Sequence, residues 1–365
     1  YSIATTWDDE LLTHLDQLNR ADHPGRFGEI FGAHRTTITG GGRPSYRLPP
    51  VTAEQFEQHV QRAKERNLRF NYVMNAPDLR GRERDPDWRR EVSRFWEYLA
   101  RVGVDGLTLS HPALLTFAKQ ELPSFRLNVS LIAGVDTPDA ARRYEEIGVD
   151  VINLSPFTLN RDFEALKAIR QAVECQLEIY ANIPCLDRCP HRDDHYIHSG
   201  HASQGEGTEV DHDPFLMRCS HAFLTEPTAL LRSPFVRPED IHVYREIGID
   251  LVKLSDRSEP TEALARTARA YAEERFAGDL FDLIFRQGRK IKAGIASLRP
   301  EVRDWEVPIT IDNQVLSELD FIDQIQKRSG PEVDEFYRLA TESDPLNGSG
   351  YLAQAMVLDR SGQSG

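Results

Sequence analysis

The chain has 365 residues, 40% hydrophobic, 28% charged and 9% aromatic. That composition excludes global disorder, and the length suits one large α/β barrel with an appendage or two medium domains. The 44 Lys and Arg against 58 Asp and Glu leave a net charge of −14, so the average surface repels a phosphate polyanion and nucleic acid is not the expected partner. No apolar run reaches the ~18 residues of a membrane-spanning helix. The stretch from Tyr1 to Leu12 lacks the basic start and apolar core of a secretory signal, so a cytoplasmic location is expected.

In chain order, residues 1–28 read as an N-terminal helical extension, with an amphipathic helix over 8–20 packing on the outside. From 29 to 277 one theme repeats: a short apolar, often β-branched run, then a helical pattern. The strand runs are 29–33, 70–75, 106–110, 127–133, 151–154, 177–182 and 249–254, as expected for parallel strands buried on both faces. The helical stretches are 53–66, 88–102, 112–121, 138–147, 161–173 and 238–247. Gly103-Val104-Asp105, Gly148-Val149-Asp150 and Gly248-Ile249-Asp250 mark helix ends turning into strands. Seven such units predict a TIM-like (β/α) barrel, an α/β fold, rather than an open sheet. No Gly-x-Gly-x-x-Gly follows the first run, which disfavours a dinucleotide fold. Residues 278–365 read as a small C-terminal extension of mixed short elements, with a mobile tail from 347 onward.

The alternation breaks over 183–237, an irregular insertion following a strand end, and such stretches are usually functional. Of the four cysteines, Cys185, Cys189 and Cys219 lie in it and Cys175 precedes it. Cys185 and Cys189 form a Cys-x3-Cys pair, and a third thiolate from a distant loop is normal for a soft metal centre. Zinc would need a fourth ligand, which His191, His195 or His221 could supply. An iron–sulfur cluster would accept three thiolates with one iron open. Buried free thiols are the plain alternative. Cys175 stands before a strand and Cys185 after it. A six-residue strand spans about 20 Å, so the two are expected at opposite ends of the barrel. His191 and His195 have helical i, i+4 spacing, but Arg192 occupies the position where a metalloprotease motif carries Glu.

From about 70 to 274 the chain resembles the peptidase U32 (collagenase-like) family. The similarity is carried by the strand at 70–75, by Gly103–Pro112, by Leu177-Glu-Ile-Tyr-Ala-Asn-Ile-Pro-Cys185, and by Gly248-Ile-Asp-Leu-Val-Lys253-Leu-Ser-Asp-Arg257. The Gly40-Gly41-Gly42-Arg43-Pro44-Ser45-Tyr46 loop also looks like that of a bacterial branch of this family. The family includes iron–sulfur, oxygen-independent hydroxylases as well as proteins named as peptidases. The resemblance therefore implies a 4Fe-4S cluster on Cys185, Cys189 and Cys219. Phe215 stands where a fourth cysteine is expected, which leaves a three-cysteine cluster with an open iron, a cluster-free site, or zinc. An open iron could act as a Lewis acid on a substrate hydroxyl or carboxylate.

Polar residues at other strand ends are candidates for handling substrate: Arg43, Asn75 and Asn182 for binding, with Lys253, Arg257 and His195 as catalytic groups. His111, Asn153 and Ser155 are further strand-end candidates. Arg43 and Arg257 suit a carboxylate through bidentate guanidinium contacts. An ion pair with Asp256 or Asp250 is the structural alternative for Lys253 and Arg257. The expected partners are a small-molecule or peptide substrate, with a partner protein or a second copy also in view. A peptidase, or a non-catalytic metal-bearing subunit, is the alternative function. No Gly-x-Ser-x-Gly or His-Glu-x-x-His motif supports a protease.

Overall fold

A computed structural model describes residues 1–204, 213–225, 227–284, 310–328, 330–342 and 346–347. Eight parallel strands close into a barrel in sequential order. They are β1 (Ser2–Ala4), β2 (Glu29–Gly32), β3 (Arg69–Met74), β4 (Gly106–Leu109), β5 (Arg126–Val129), β6 (Val151–Asn153), β7 (Gln176–Tyr180) and β8 (Leu251–Leu254). Closure depends on β1, which pairs with β2 through Ser2 and Glu29 and with β8 through Ser2 and Lys253.

This corrects the N-terminal boundary. Residues 1–28 are the first barrel unit, not an extension. Ser2-Ile3-Ala4 is too short and too weakly β-branched to stand out as a strand, yet without it the sheet would have two open edges. The helix α1 (Asp9–Arg20) does lie outside, burying Leu11, Leu12, Leu15 and Leu18, and Asp8 caps it by accepting from the Glu10 N–H.

The remaining outer helices follow the expected order: α2 (Ala53–Lys64), α3 (Pro86–Val102), α4 (Pro112–Glu121), α5 (Pro138–Ile147), the short α6 (Pro156–Leu159) and α7 (Phe163–Ala172). Thr52 and Gln55 form a capping box at the start of α2. Gly103, Gly148 and Gly248 end their helices at φ 95°, 87° and 96°, where a side chain would be strained.

The insertion is not irregular throughout. It folds as α8 (Arg192–His201), α9 (Pro214–Thr225) and α10 (Pro227–Arg232), before α11 (Ile241–Ile247) and α12 (Thr261–Glu273) complete the barrel's outer layer. Polar, His-rich α8 has no apolar stripe of the kind that reveals a helix in sequence. Beyond the barrel, Thr310–Ile311 pairs antiparallel with Leu346–Asn347, and Phe321 stacks on Phe235 at 6.1 Å. Most of the tail expected to be mobile, and the stretch 285–309, lie outside the described residues.

The barrel interior is polar. Ser2 Oγ donates to Glu29, Thr108 Oγ1 to Asn71, and Asn153 Nδ2 to Glu178, which also pairs with Lys253. Asn128 and Glu178 each keep buried oxygens with no protein partner among the described residues. Such polar, enclosed positions are ones that ordered water satisfies.

On the outer wall, Thr5 Oγ1 lies 2.8 Å from His59 Nε2, and His59 Nδ1 lies 3.0 Å from Asp9 Oδ1. The order of groups imitates a hydrolytic triad. Thr5 and His59 are each 1% exposed, so no substrate reaches them and the chain serves to bind β1, α1 and α2 together. Burial pushes His59 down to about 4. A histidine whose folded value is depressed holds more protons once unfolded, so its contribution is complete above the unfolded value and is lost on acidification towards the folded one. Stability to urea is therefore expected to fall by about 3 kcal/mol from this group as pH drops from about 6.5 to about 4. His59→Gln should flatten that part of the profile, and an unchanged slope would contradict the assignment.

Candidate functional site

A cavity of about 380 Å³ opens at the C-terminal ends of the strands, between the barrel and the insertion. This is the end at which barrels of this type carry their chemistry. The floor is formed by Thr108, Asn153 and Lys253, one wall by Arg43, Arg47, Asp256 and Arg257, and a rim by Cys185, Cys189 and Cys219. Phe31, Leu131 and Phe157 supply apolar surface between them.

The guanidinium wall is the most charged feature. Asp256, just past β8, is approached by Arg43 at 3.2 Å and by Arg47 at 3.5 Å. Burial alone would raise the Asp256 carboxyl, but the two arginines overcome it and hold it below its ordinary value. Arg257 is 7% exposed and its Nη1 has no hydrogen-bond partner among the described residues. Burial and then the charge on Arg43 lower Arg257 to about 10, which still leaves it protonated at neutral pH. The expected alternative of an ion pair with Asp256 or Asp250 is not what either residue makes. Lys253 pairs with Glu178 at 3.4 Å and sits 4.1 Å over the Phe31 ring. Asp250 pairs with Arg170.

Two proposed substrate ligands are committed to the scaffold. Asn75 accepts from the Gly42 N–H at 2.8 Å and donates to Ser130 Oγ at 2.9 Å. Asn182 donates to the Ser255 carbonyl at 2.6 Å and accepts from the Ser255 N–H at 2.7 Å, tying the end of β7 to the end of β8. Both border the cavity, but their amides shape it. His195 also borders it. Its Nε2 lies 2.9 Å from Asp213 and its ring stacks on Phe215 at 5.3 Å. Burial would raise the Asp213 carboxyl, but the His195 contact and the Leu216 N–H bring it to about 2. Asn153 lines the cavity with its amide donated to Glu178. His111 and Ser155 occupy the N-cap positions of α4 and α6 without a side-chain capping bond and are not among the lining residues. The side chain of His221 lies outside the described residues.

Cys185, Cys189 and Cys219 face this one cavity, whereas Cys175 lies at the start of β7, its N–H donating to Glu145. Burial and then Cys219 push the Cys185 thiol up to about 12. Burial, then Asp213 and Cys189, push Cys219 up to about 11. Cys185 and Cys219 are thus held as thiols, the reverse of an activated cysteine nucleophile. Three sulfur donors on one rim suit a thiophilic group by their chemistry. As they stand, no three or more His, Cys, Asp or Glu side chains among the described residues are gathered to hold a metal ion.

Arg47, Asp256, Tyr180 and Tyr196 belong to the site although they were not among the candidates. Arg47 follows Arg43 by four residues across a single 3-10 turn (Ser45–Arg47). That spacing was a readable signal. Tyr180 and Tyr196 carried none beyond their place beside the cysteines.

Neutralising Arg257 is the sharpest probe of the wall. Arg257→Gln is expected to weaken binding of citrate, a carboxylate probe, by about tenfold or more while leaving thermal unfolding nearly unchanged, since Arg257 makes no close ion pair among the described residues. Equal affinity in calorimetric titrations would contradict this account of the wall.

Comparison with known proteins agrees with this architecture. The family model described as peptidase family U32 matches residues 35–182. The uncharacterized protease MJ1657 of Methanocaldococcus jannaschii is 33% identical over 258 residues, which span 71% of this chain and 73% of that protein. The solved structure of the U32 peptidase Mk0906 aligns with a TM-score of 0.51 at 25% identity, over 71% of this chain and 93% of that one. With the M. jannaschii relative covering more than two thirds of the chain, this chain belongs to peptidase family U32.

Proposed function

We propose that the barrel mouth is the active site of an enzyme acting on an anionic small molecule or peptide-derived substrate. In this reading a substrate carboxylate is held by Arg257 with help from Arg43 and Arg47. One observation carries it: a buried guanidinium, Arg257, has an Nη1 with no hydrogen-bond partner among the described residues, in a cavity wall where two further arginines already share Asp256. A buried charge is retained where something compensates it, and a bound anion does so.

We further propose that Cys185, Cys189 and Cys219 seat an iron–sulfur cluster, with zinc as the alternative occupant of the same thiols. Support comes from the three thiols sharing one cavity with the guanidinium wall and from the family resemblance. Bound there, such a group would supply electron-transfer or Lewis-acid chemistry beside the substrate, of the kind used in oxygen-independent hydroxylation. The chain's own contribution is positioning. Arg257 and Arg43 orient the carboxylate. Phe31, Leu131 and Phe157 limit water around it. Lys253, fixed by Glu178, presents a proton donor at the floor. Burial keeps the Tyr180 hydroxyl protonated, at about 12, as a neutral donor close to Arg43.

A peptidase reading is favoured by the name given to the relative from M. jannaschii. Against it, burial holds Cys185 and Cys219 away from the thiolate that a cysteine nucleophile needs.

Iron and sulfide analysis after anaerobic purification, with electron paramagnetic resonance, tests the cluster. Wild type and Cys175→Ala are expected to carry it, and Cys185→Ala to lose it. Equal loss in both variants, or colourless wild-type protein with bound zinc only, would overturn the iron–sulfur assignment.

A further inference from the structure

The loop that carries Arg43 is held against the insertion rather than against its own strand. After α8 the chain turns through Ala202, Ser203 and Gln204, and these three residues grip the loop from Thr37 to Ser45. The Gly41 N–H donates to Ser203 Oγ at 2.8 Å, and the Thr37 N–H donates to the Ser203 carbonyl at 3.3 Å. Ser45 donates to the Ala202 carbonyl from both its N–H, at 3.3 Å, and its hydroxyl, at 2.9 Å. Gln204 Nε2 donates to the Thr39 carbonyl and to the Asp78 carbonyl, at 3.3 and 2.5 Å. Ser203 is 2% exposed.

The glycines make this contact possible. A Cβ on Gly40, whose φ is 76°, would come within 2.6 Å of Gln204 Cγ and 2.9 Å of the Gly200 carbonyl. On the other side of the loop, a Cβ on Gly42 would come within 2.5 Å of Ile132 Cδ1. The loop is therefore packed flush between the insertion and the barrel rim. Arg43 leaves it, and Arg47 follows in the next turn, each reaching Asp256.

We infer that Ser203 and Gln204 are positioning residues for the guanidinium wall, so that the anion site is complete only while the insertion is docked. The inference rests on the anion-binding reading above and adds the element that regulates it. The same insertion carries the rim thiols, so the anion and any group held by those thiols meet across one docked interface. If docking is what both sites require, each ligand favours binding of the other.

The test compares full-length wild type, Ser203→Ala, Gln204→Ala and Ser203→Thr. Citrate affinity is measured by calorimetry, and the amide exchange of Gly41 and Gly42 by hydrogen–deuterium exchange. Ser203→Ala is expected to weaken citrate about tenfold and to speed exchange in the 37–45 loop. Far-UV circular dichroism and exchange in the barrel strands should stay unchanged. Ser203→Thr, which keeps the hydroxyl, should restore slow exchange at Gly41. Gln204→Ala guards against a folding defect peculiar to position 203 and should show the same pattern. If wild type binds citrate and both alanine variants bind it equally well, the positioning role is wrong while the anion site stands. If wild type binds no citrate, the anion reading fails. The docking claim is then decided by exchange alone: faster loop exchange in both alanine variants supports it, and unchanged exchange overturns it.

Discussion

The mouth of this barrel is organised around one carboxylate. Asp256 stands just beyond β8, with Arg43 and Arg47 reaching it from the loop after β2, and Arg257 beside it. Separating these groups would leave buried charges uncompensated, which costs several kcal/mol per ion. The interaction therefore pins two distant parts of the chain together at the site. It also sets the electrostatic character of the cavity. A protein whose overall charge is −14 concentrates guanidinium groups at one concave place, where low-dielectric walls strengthen their field.

The barrel beneath supports this arrangement in an unusual way. A barrel interior is commonly filled by branched apolar side chains. Here Glu29, Asn71, Thr108, Asn128, Asn153, Glu178 and Lys253 are buried in the strands. The Lys253 ammonium is held by Glu178, whose carboxylate is in turn fixed by Asn153. Burial raises the Glu29 carboxyl against the pull of Lys253. The floor of the cavity thus connects to a polar network rather than ending on a dry core.

Much of the fold was legible because parallel strands buried on both faces leave continuous apolar runs, and seven of these stood out. The eighth, Ser2-Ile3-Ala4, did not, because three residues carry too little pattern. The helices of the insertion were hidden for a related reason. In α8 the sequence follows the needs of docking on the 37–45 loop and of lining the cavity, whereas α9 and α10 place Phe223, Leu230 and Leu231 in the core from segments too short to show a helical period. Of the candidate residues, Arg43, Arg257, Lys253, His195 and the three rim cysteines meet at one cavity. Asn75 and Asn182 meet it too, but as braces. The difference was unreadable in sequence, since it depends on Ser130, Gly42 and Ser255 arriving from elsewhere. Asp256 was visible only as the neighbour of Arg257, and its role as a shared partner required the loop after β2 to fold over it.

The most direct test of this account is to locate an anion at the wall. Crystals soaked in selenate, measured at the selenium absorption edge, should show anomalous density within hydrogen-bonding distance of Arg257 Nη1, with Arg43 and Arg47 still on Asp256. A structure in which Arg257 is satisfied by a protein carboxylate and the wall attracts no selenium would contradict it.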